Sequence, residues 1–168
     1  MFIVDVGCLV QTAQLPIISR QSSIIIMVGA VIVSHGQLGE EMIHSAEMIV
    51  GEMTHITAVS IDMTTDVESS CEKIRQAIKK VNTEAGVVIL TDMFGGTPSN
   101  ISLSFLDEAA VEVITGVNLA MLIHLSNISD DMPFHETVQQ LKERGKGNIH
   151  IASEFLKQRG KQKEHTRS

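Results

Sequence analysis

The sequence has no tryptophan and no tyrosine, and aromatic residues make up only 3% of it. A surface that stacks the bases of single-stranded nucleic acid needs such rings, so that class of function is disfavoured. The core must rest on Ile, Val, Leu, Met and Ala, a composition that suits a parallel sheet covered by helices. Basic charge is short as well: 13 Lys and Arg stand against 20 Asp and Glu, a net charge of −7. A chain of that sign has little affinity for DNA, RNA or an anionic membrane. The two cysteines, Cys8 and Cys71, form no CxxC pair and no metal-ligand spacing. They read as reduced thiols of a cytoplasmic protein, with Cys71 a small hydrophobe on the apolar face of a helix. No apolar run reaches the length of a membrane span. Phe2 to Val10 is interrupted by Asp5, follows no basic residue and leads to Pro16 and Arg20 without a small-residue cleavage site, a poor signal peptide. The Walker phosphate loop and the GxGxxG dinucleotide fingerprint are both absent, which counts against a nucleotide-binding domain. No histidine pair has the HExxH spacing of a zinc site. The expectation is therefore no metal and no bound cofactor.

What is present is a regular alternation. With 168 residues, 43% hydrophobic and 20% charged, the chain suits one globular domain with a real core. Ala30 to Val33 is an apolar, β-branched run of strand type. From Glu40 and Glu41 onward, Met42, Ile43, Ala46, Ile49 and Val50 repeat with helical spacing up to Gly51. His55 to Ile61 reads as a second strand. Thr64, Thr65 and Asp66 supply capping chemistry for a helix marked by Val67, Cys71, Ile74, Ile78 and Val81. Val87 to Thr91 is a third strand, and Ile101, Leu103, Phe105 and Leu106 mark a third helix. Val111 to Thr115 is a fourth strand, after which Asn118 caps a short helix through Leu125. Phe134, Val138 and Leu141 mark a last helix ended by Gly145, and Ile149-His150-Ile151 reads as a short final strand. This order predicts an α/β doubly wound, mostly parallel sheet of about four strands, with helices on both faces. The short C-terminal strand would lie at an edge or pair with another subunit. The domain is expected over residues 27–153. Residues 1–26 read as a poorly ordered extension and 154–168 as a polar tail.

Two strand ends carry the chemistry. Val31-Ile32-Val33 runs into Ser34-His35-Gly36, and Val87-Val88-Ile89-Leu90-Thr91 runs into Asp92-Met93-Phe94-Gly95-Gly96-Thr97-Pro98. In open α/β sheets, ligands bind beyond the carboxyl ends of the strands. If these two strands are neighbours, His35 and Asp92 project at the same edge. A carboxylate that accepts from one imidazole nitrogen fixes the tautomer and leaves the other nitrogen as a bare nucleophile. Thr97 reads as an N-cap and Pro98 as the first helical residue, while Gly95 and Gly96 let the backbone approach a ligand closely. The free amides of that helix start form an anion site. A histidine, a carboxylate partner and an anion site together fit phosphoryl transfer. The plain alternatives are a turn histidine bonded to nearby backbone and a capped Gly-Gly-Thr-Pro turn. Met93 and Phe94 either fold back into the core or form a docking contact beside the site. The other histidines, His44, His55, His124, His135, His150 and His165, are scattered over different elements and read as structural or surface groups.

These residues resemble the mannose-type EIIA domain of the bacterial sugar phosphotransferase system. The resemblance runs from Met27 to about Ser153 and lies in four ordered blocks. They are Val31-Ile32-Val33-Ser34-His35-Gly36, then Ala46-Glu47-Met48-Ile49-Val50-Gly51-Glu52, then Leu90 through Asn100 across Asp92 and Gly95-Gly96-Thr97-Pro98, then Val113 through Leu122. The resemblance implies that His35 is the phosphorylated histidine, that Asp92 orients its ring, and that Thr97, with amides around Gly95 and Gly96, binds the phosphoryl group. It implies the phosphohistidine carrier HPr as donor and an EIIB subunit as acceptor. It also implies a cytoplasmic homodimer that exchanges its last strand, Ile149 to Ser153, and that meets the membrane only through the transporter complex. A related branch, the phosphotransferase subunit of dihydroxyacetone kinase, also opens with a strand and Ser-His but lacks Gly-Gly-Thr-Pro. A regulatory phosphohistidine module without sugar transport would need the same three side chains, His35, Asp92 and Thr97.

Overall fold

The structure, a computed structural model, describes residues 27–62, 66–129 and 131–156. The expectations for residues 1–26 with Cys8, for Thr64 and Thr65, and for the tail with His165 lie outside the described residues. Four strands form one parallel sheet: β1 (Gly29–His35), β2 (Ile56–Ile61), β3 (Val87–Thr91) and β4 (Val111–Thr115). Their order across the sheet is β2-β1-β3-β4. The helices are α1 (Leu38–Val50), α2 (Val67–Val81), α3 (Thr97–Ser102), α4 (Leu119–Leu125) and α5 (Phe134–Gly147), with a 3-10 turn at Leu103–Phe105. The expected α/β architecture is therefore present.

β1 and β3 are central, and their unbroken apolar runs follow from burial on both faces. Ala30 and Ile32 of β1, with Val88 and Leu90 of β3, meet Ala46 of α1, Met121, Leu122 and Leu125 of α4 and Leu141 of α5. Val31 and Val33, with Val87 and Ile89, face Ile74, Ile78 and Val81 of α2 and Ile101 and Phe105 beyond β3. Two layers of helix thus cover the two faces of the sheet, and the turns after β1 and β3 emerge at its carboxyl edge.

The caps are local chemistry. Asp66 caps α2 by accepting from the Ser69 amide at 3.3 Å, and Lys79 and Lys80 sit in the last turn, complementing the helix dipole. Asn118 caps α4 as expected, accepting from the Met121 amide at 3.2 Å, and its amide nitrogen donates to the Gly145 carbonyl at 3.0 Å, tying α4 to α5.

Several expectations are corrected. Thr97 is not the N-cap of α3: Gly96 is, in extended conformation, and Thr97 is the first helical residue with Pro98 second. The third helix is also shorter than its pattern, giving way to the 3-10 turn. Ile49 and Val67 are exposed. Ala46 and Val50, four residues apart, hold the inward stripe of α1 and turn Ile49 off it, and Val67 projects from the first turn of α2. Ile149 to Ile151 forms no strand. Ile149 is 78% exposed, Ile151 63%, and residues 152–156 are helical, so the boundary drawn at 154 falls inside a helical segment. Three apolar residues gain too little from pairing at the edge of one chain. The Ile149 amide instead bonds back to Lys146 at 3.3 Å.

The packing predicts an asymmetry between two phenylalanines. Phe105 is 1% exposed and Phe94 75%. Phe105→Ala is expected to cost about 3–5 kcal/mol of stability, and Phe94→Ala less than about 0.5 kcal/mol. Urea unfolding followed by far-ultraviolet circular dichroism measures both.

Candidate functional site

β1 leads through α1 to β2 on one side, while β3 lies on its other side. Strand order therefore reverses between β1 and β3, and a crevice opens beyond their carboxyl ends. Val33 of β1 pairs with Thr91 of β3, so His35 and Asp92 emerge together. The Nδ1 of His35 lies 2.7 Å from Oδ2 of Asp92, and the His35 backbone N–H donates to the same oxygen at 2.9 Å. The Met93 amide donates to Oδ1 at 2.8 Å. An ionised carboxylate only accepts, so the proton of the imidazole is assigned to Nδ1. Nε2 is left bare, with no hydrogen-bond partner among the described residues, on a side chain 41% exposed above an Asp92 side chain only 10% exposed.

The turn that carries His35 is held from beneath. Gly36 takes φ +52°, a left-handed conformation that glycine adopts without a Cβ penalty. The buried Ser34 hydroxyl accepts the Gly39 amide at 2.9 Å, and the Ser60 hydroxyl of β2 donates to the Gly36 carbonyl. Across the crevice, a Cβ on Gly96 would stand 3.0 Å from Cε1 and 3.6 Å from Nε2 of His35. Glycine is needed there for close approach, since its φ of −79° suits any residue. Gly95 has φ +81°. The α3 ladder begins with the Asn100 amide on the Gly96 carbonyl at 2.9 Å, so the amides before it stand outside the ladder. Thr97 is exposed beside them. The five residues singled out from the sequence thus gather at the carboxyl ends of β1 and β3: His35 is the last residue of β1, Asp92, Gly95 and Gly96 lie on the turn after β3, and Thr97 is the first residue of α3.

Leu38, Met93 and Phe94 are 47%, 56% and 75% exposed. Met93 and Phe94 therefore do not fold back into the core; with Leu38, the first residue of α1, they form an apolar rim at the carboxyl ends of β1 and β3. The remaining histidines stay apart: His44, His135 and His150 are exposed, and His124 bonds Gln140 at 3.2 Å. Among the described residues no group of three or more His, Cys, Asp or Glu could hold a metal ion. Cys71 is half-buried against the α2 side of the core. Sequence reasoning missed the work of Ser34 and Ser60. For Ser34 the available signal was a hydroxyl residue next to the last position of an otherwise apolar strand; Ser60 left none.

Comparison with known proteins gives a consistent picture. The family EIIA-man, described as "PTS system fructose IIA component", matches residues 29–142. The fructose-specific EIIA component of the phosphotransferase system of Bacillus subtilis (strain 168) is 29% identical over 131 residues, 77% of this chain and 90% of that protein. The mannose-specific EIIAB component of Escherichia coli (strain K12) is 33% identical over 73% of this chain, which spans 38% of that longer protein. The mannose/sorbose specific IIA subunit from Enterococcus faecalis superposes with a TM-score of 0.67 at 26% identity, covering 75% of this chain and 95% of that one.

The electrostatics of Asp92 have two opposed causes. Burial raises its pKa, but the hydrogen bonds from the His35 amide, the His35 ring and the Met93 amide, with the attraction of the imidazole, outweigh burial and hold it below its ordinary 3.8. A carboxyl depressed in the fold contributes stability that is present above its unfolded value and lost as the pH falls through its folded value. The stability difference between wild type and Asp92→Asn is therefore expected to shrink as the pH falls below the ordinary 3.8. Urea unfolding at a series of pH values around and below 3.8 measures this, and a difference undiminished across that range would contradict the site's charge state.

Proposed function

The chain belongs to the EIIA-man family of sugar phosphotransferase-system components, and from this we propose that it is a phosphocarrier that accepts phosphoryl on His35 from phospho-HPr and passes it to an EIIB subunit. The observation that carries the reading is the contact of 2.7 Å between His35 Nδ1 and Asp92, which leaves Nε2 bare on an exposed ring.

In this reading the Nε2 lone pair attacks the phosphorus of the donor phosphohistidine in line. The donor N–P bond breaks, its electron pair stays on the donor imidazole, and a new N–P bond forms on His35. No water, metal or cofactor is consumed. The His35 ring now carries both the phosphoryl group and the Nδ1 proton, and Asp92 offsets the positive charge that results. The amides around Gly95 and Gly96 and the Thr97 hydroxyl stabilise charge on the phosphoryl oxygens. Passing phosphoryl to EIIB is the same exchange run toward a new acceptor. The apolar rim of Leu38, Met93 and Phe94 supports a protein, rather than a small molecule, as donor and acceptor. The transfer takes place in the cytoplasm, meeting the membrane only through the transporter complex. No described helix is long and apolar enough to cross a membrane.

Incubation with phospho-HPr and mass mapping is expected to find phosphoryl on His35 alone, acid-labile and base-stable. His35→Ala should abolish it, and Asp92→Asn should fold normally but slow transfer about ten- to a thousandfold, the scale of losing one oriented electrostatic partner. Rapid labelling of the His35→Ala protein would sink the assignment.

We also propose a homodimer through the C-terminal segment. Ile149, Ile151, Phe155 and Leu156 are exposed apolar residues, and Ile149 lines a cavity with Ile114 and Thr115 of the edge strand β4, whose residues are only half-buried. Truncation after Gly147 is expected to give a monomer or an aggregating species by light scattering; a dimer of unchanged stability would rule this interface out.

A further inference from the structure

We propose that Ser60 is a positioning residue for His35, holding the turn so that Asp92 can select one tautomer of the ring. The inference deepens the phosphocarrier reading and rests on it for its kinetic test, though not for its geometry.

The turn His35-Gly36-Gln37 is tied at its far end by the Gly39 amide on the Ser34 hydroxyl at 2.9 Å and the Glu41 amide on the Gln37 carbonyl at 3.1 Å, but Gly36 itself has little of its own to fix it. Gly36 is exposed, at φ +52°, with nothing within 4 Å of a would-be Cβ, and glycine is the softest residue a turn can use. Gln37 stands at the N-cap of α1 but makes no side-chain cap bond. The fixing groups come from the flanking strands. On the β3 side, Asp92 accepts the amide that enters His35 at 2.9 Å. On the β2 side, Ser60 donates to the carbonyl that leaves Gly36. Ser60 stands at the right height because it pairs in register with Ser34, one residue before His35. The stretch between the two grips contains only His35 and Gly36.

The consequence runs through one oxygen. Oδ2 of Asp92 accepts both the backbone N–H and the ring Nδ1–H of His35. Both bonds hold only while backbone and ring keep one relative placement. If the Gly36 carbonyl is released, the glycine swings, the His35 backbone follows, and a single oxygen no longer serves both donors. The ring then samples the tautomer with the proton on Nε2, which cannot attack. Strand β2 gains nothing else from this hydroxyl: Val59 and Ile61 supply its core contacts, and the side chain of Ser60 makes no other bond among the described residues.

The test uses the full chain with Ser60→Ala, Ser60→Cys, which keeps the shape with a weaker donor, and Ser60→Thr, which keeps the hydroxyl. Nitrogen-15 NMR of the imidazole reads the His35 tautomer without any partner protein. The wild type is expected to show the Nδ1–H form alone, and the Ala and Cys variants a mixture, with melting temperatures near the wild type. Acceptance from phospho-HPr is expected to slow about tenfold in both, the scale of a slightly misplaced nucleophile, and to recover in Ser60→Thr. A single tautomer at wild-type rate in the Ala or Cys variant overturns the proposal, and so does a Thr variant as slow as Ala. If the wild type itself takes no phosphoryl on His35, the phosphocarrier reading falls, and the tautomer measurement alone decides the role of Ser60.

Discussion

Two atoms that are 57 residues apart in sequence, Nδ1 of His35 and Oδ2 of Asp92, meet at 2.7 Å, and that contact constrains the rest of the molecule. It requires β1 and β3 to be parallel neighbours with level carboxyl ends. Parallel neighbours need a crossover, which puts α2 against the sheet between β2 and β3. Two central strands covered on both faces need side chains that tolerate complete burial, hence the runs of Val and Ile in β1 and β3. The same contact explains why Asp92 is charged in a setting where burial opposes charge: three donors converge on it. Removing the strand pairing would leave a carboxylate costly to bury and an imidazole with no preferred tautomer.

Much of this was legible because it is written in period and punctuation. The β1 and β3 runs, the helical stripe ending at Val81 and the Asn118 cap are local signals, and each stands where its residues put it. His35 and Asp92 were legible for a different reason: a polar residue that ends a wholly apolar strand is placed at the sheet edge by the strand itself. Gly95 and Gly96 were seen as permissive turn residues, but the reason for Gly96 is the His35 ring packed beside it, a long-range contact with no local trace. Thr97 illustrates a shift of one residue. Threonine caps well, yet a glycine free to extend took the cap and left the threonine inside the first turn. Ser60 was invisible because its partner is a backbone carbonyl in the turn after another strand. Ile149 to Ile151 has the composition of a strand, but composition does not supply a neighbour to pair with.

Rigidity is unevenly distributed around the site. Beneath His35 lie a fully buried Ser34 and the zero-exposure stretch Ala30 to Val33. Above it lie turns with two left-handed glycines, Gly36 and Gly95, and exposed apolar side chains. His35 thus follows directly on the most buried stretch of β1, while the groups beside it stand on exposed turns. In the proposed phosphocarrier role, a ring seated on the buried strand with exposed turns around it suits a residue that faces one protein when empty and another when loaded.

The apolar rim has a further consequence for timing. Leu38, Met93 and Phe94 are three side chains, Leu38 at the start of α1 and the other two on the turn after β3. Three anchors orient a visitor but bury far less than a standard interface. Affinity differences among related complexes are set mostly by how fast they come apart, so a contact of this size favours brief residence. A carrier with a single nucleophile is blocked for as long as either visitor stays. In the proposed carrier role, a small rim therefore favours short dwell times, and enlarging it would trade turnover for grip.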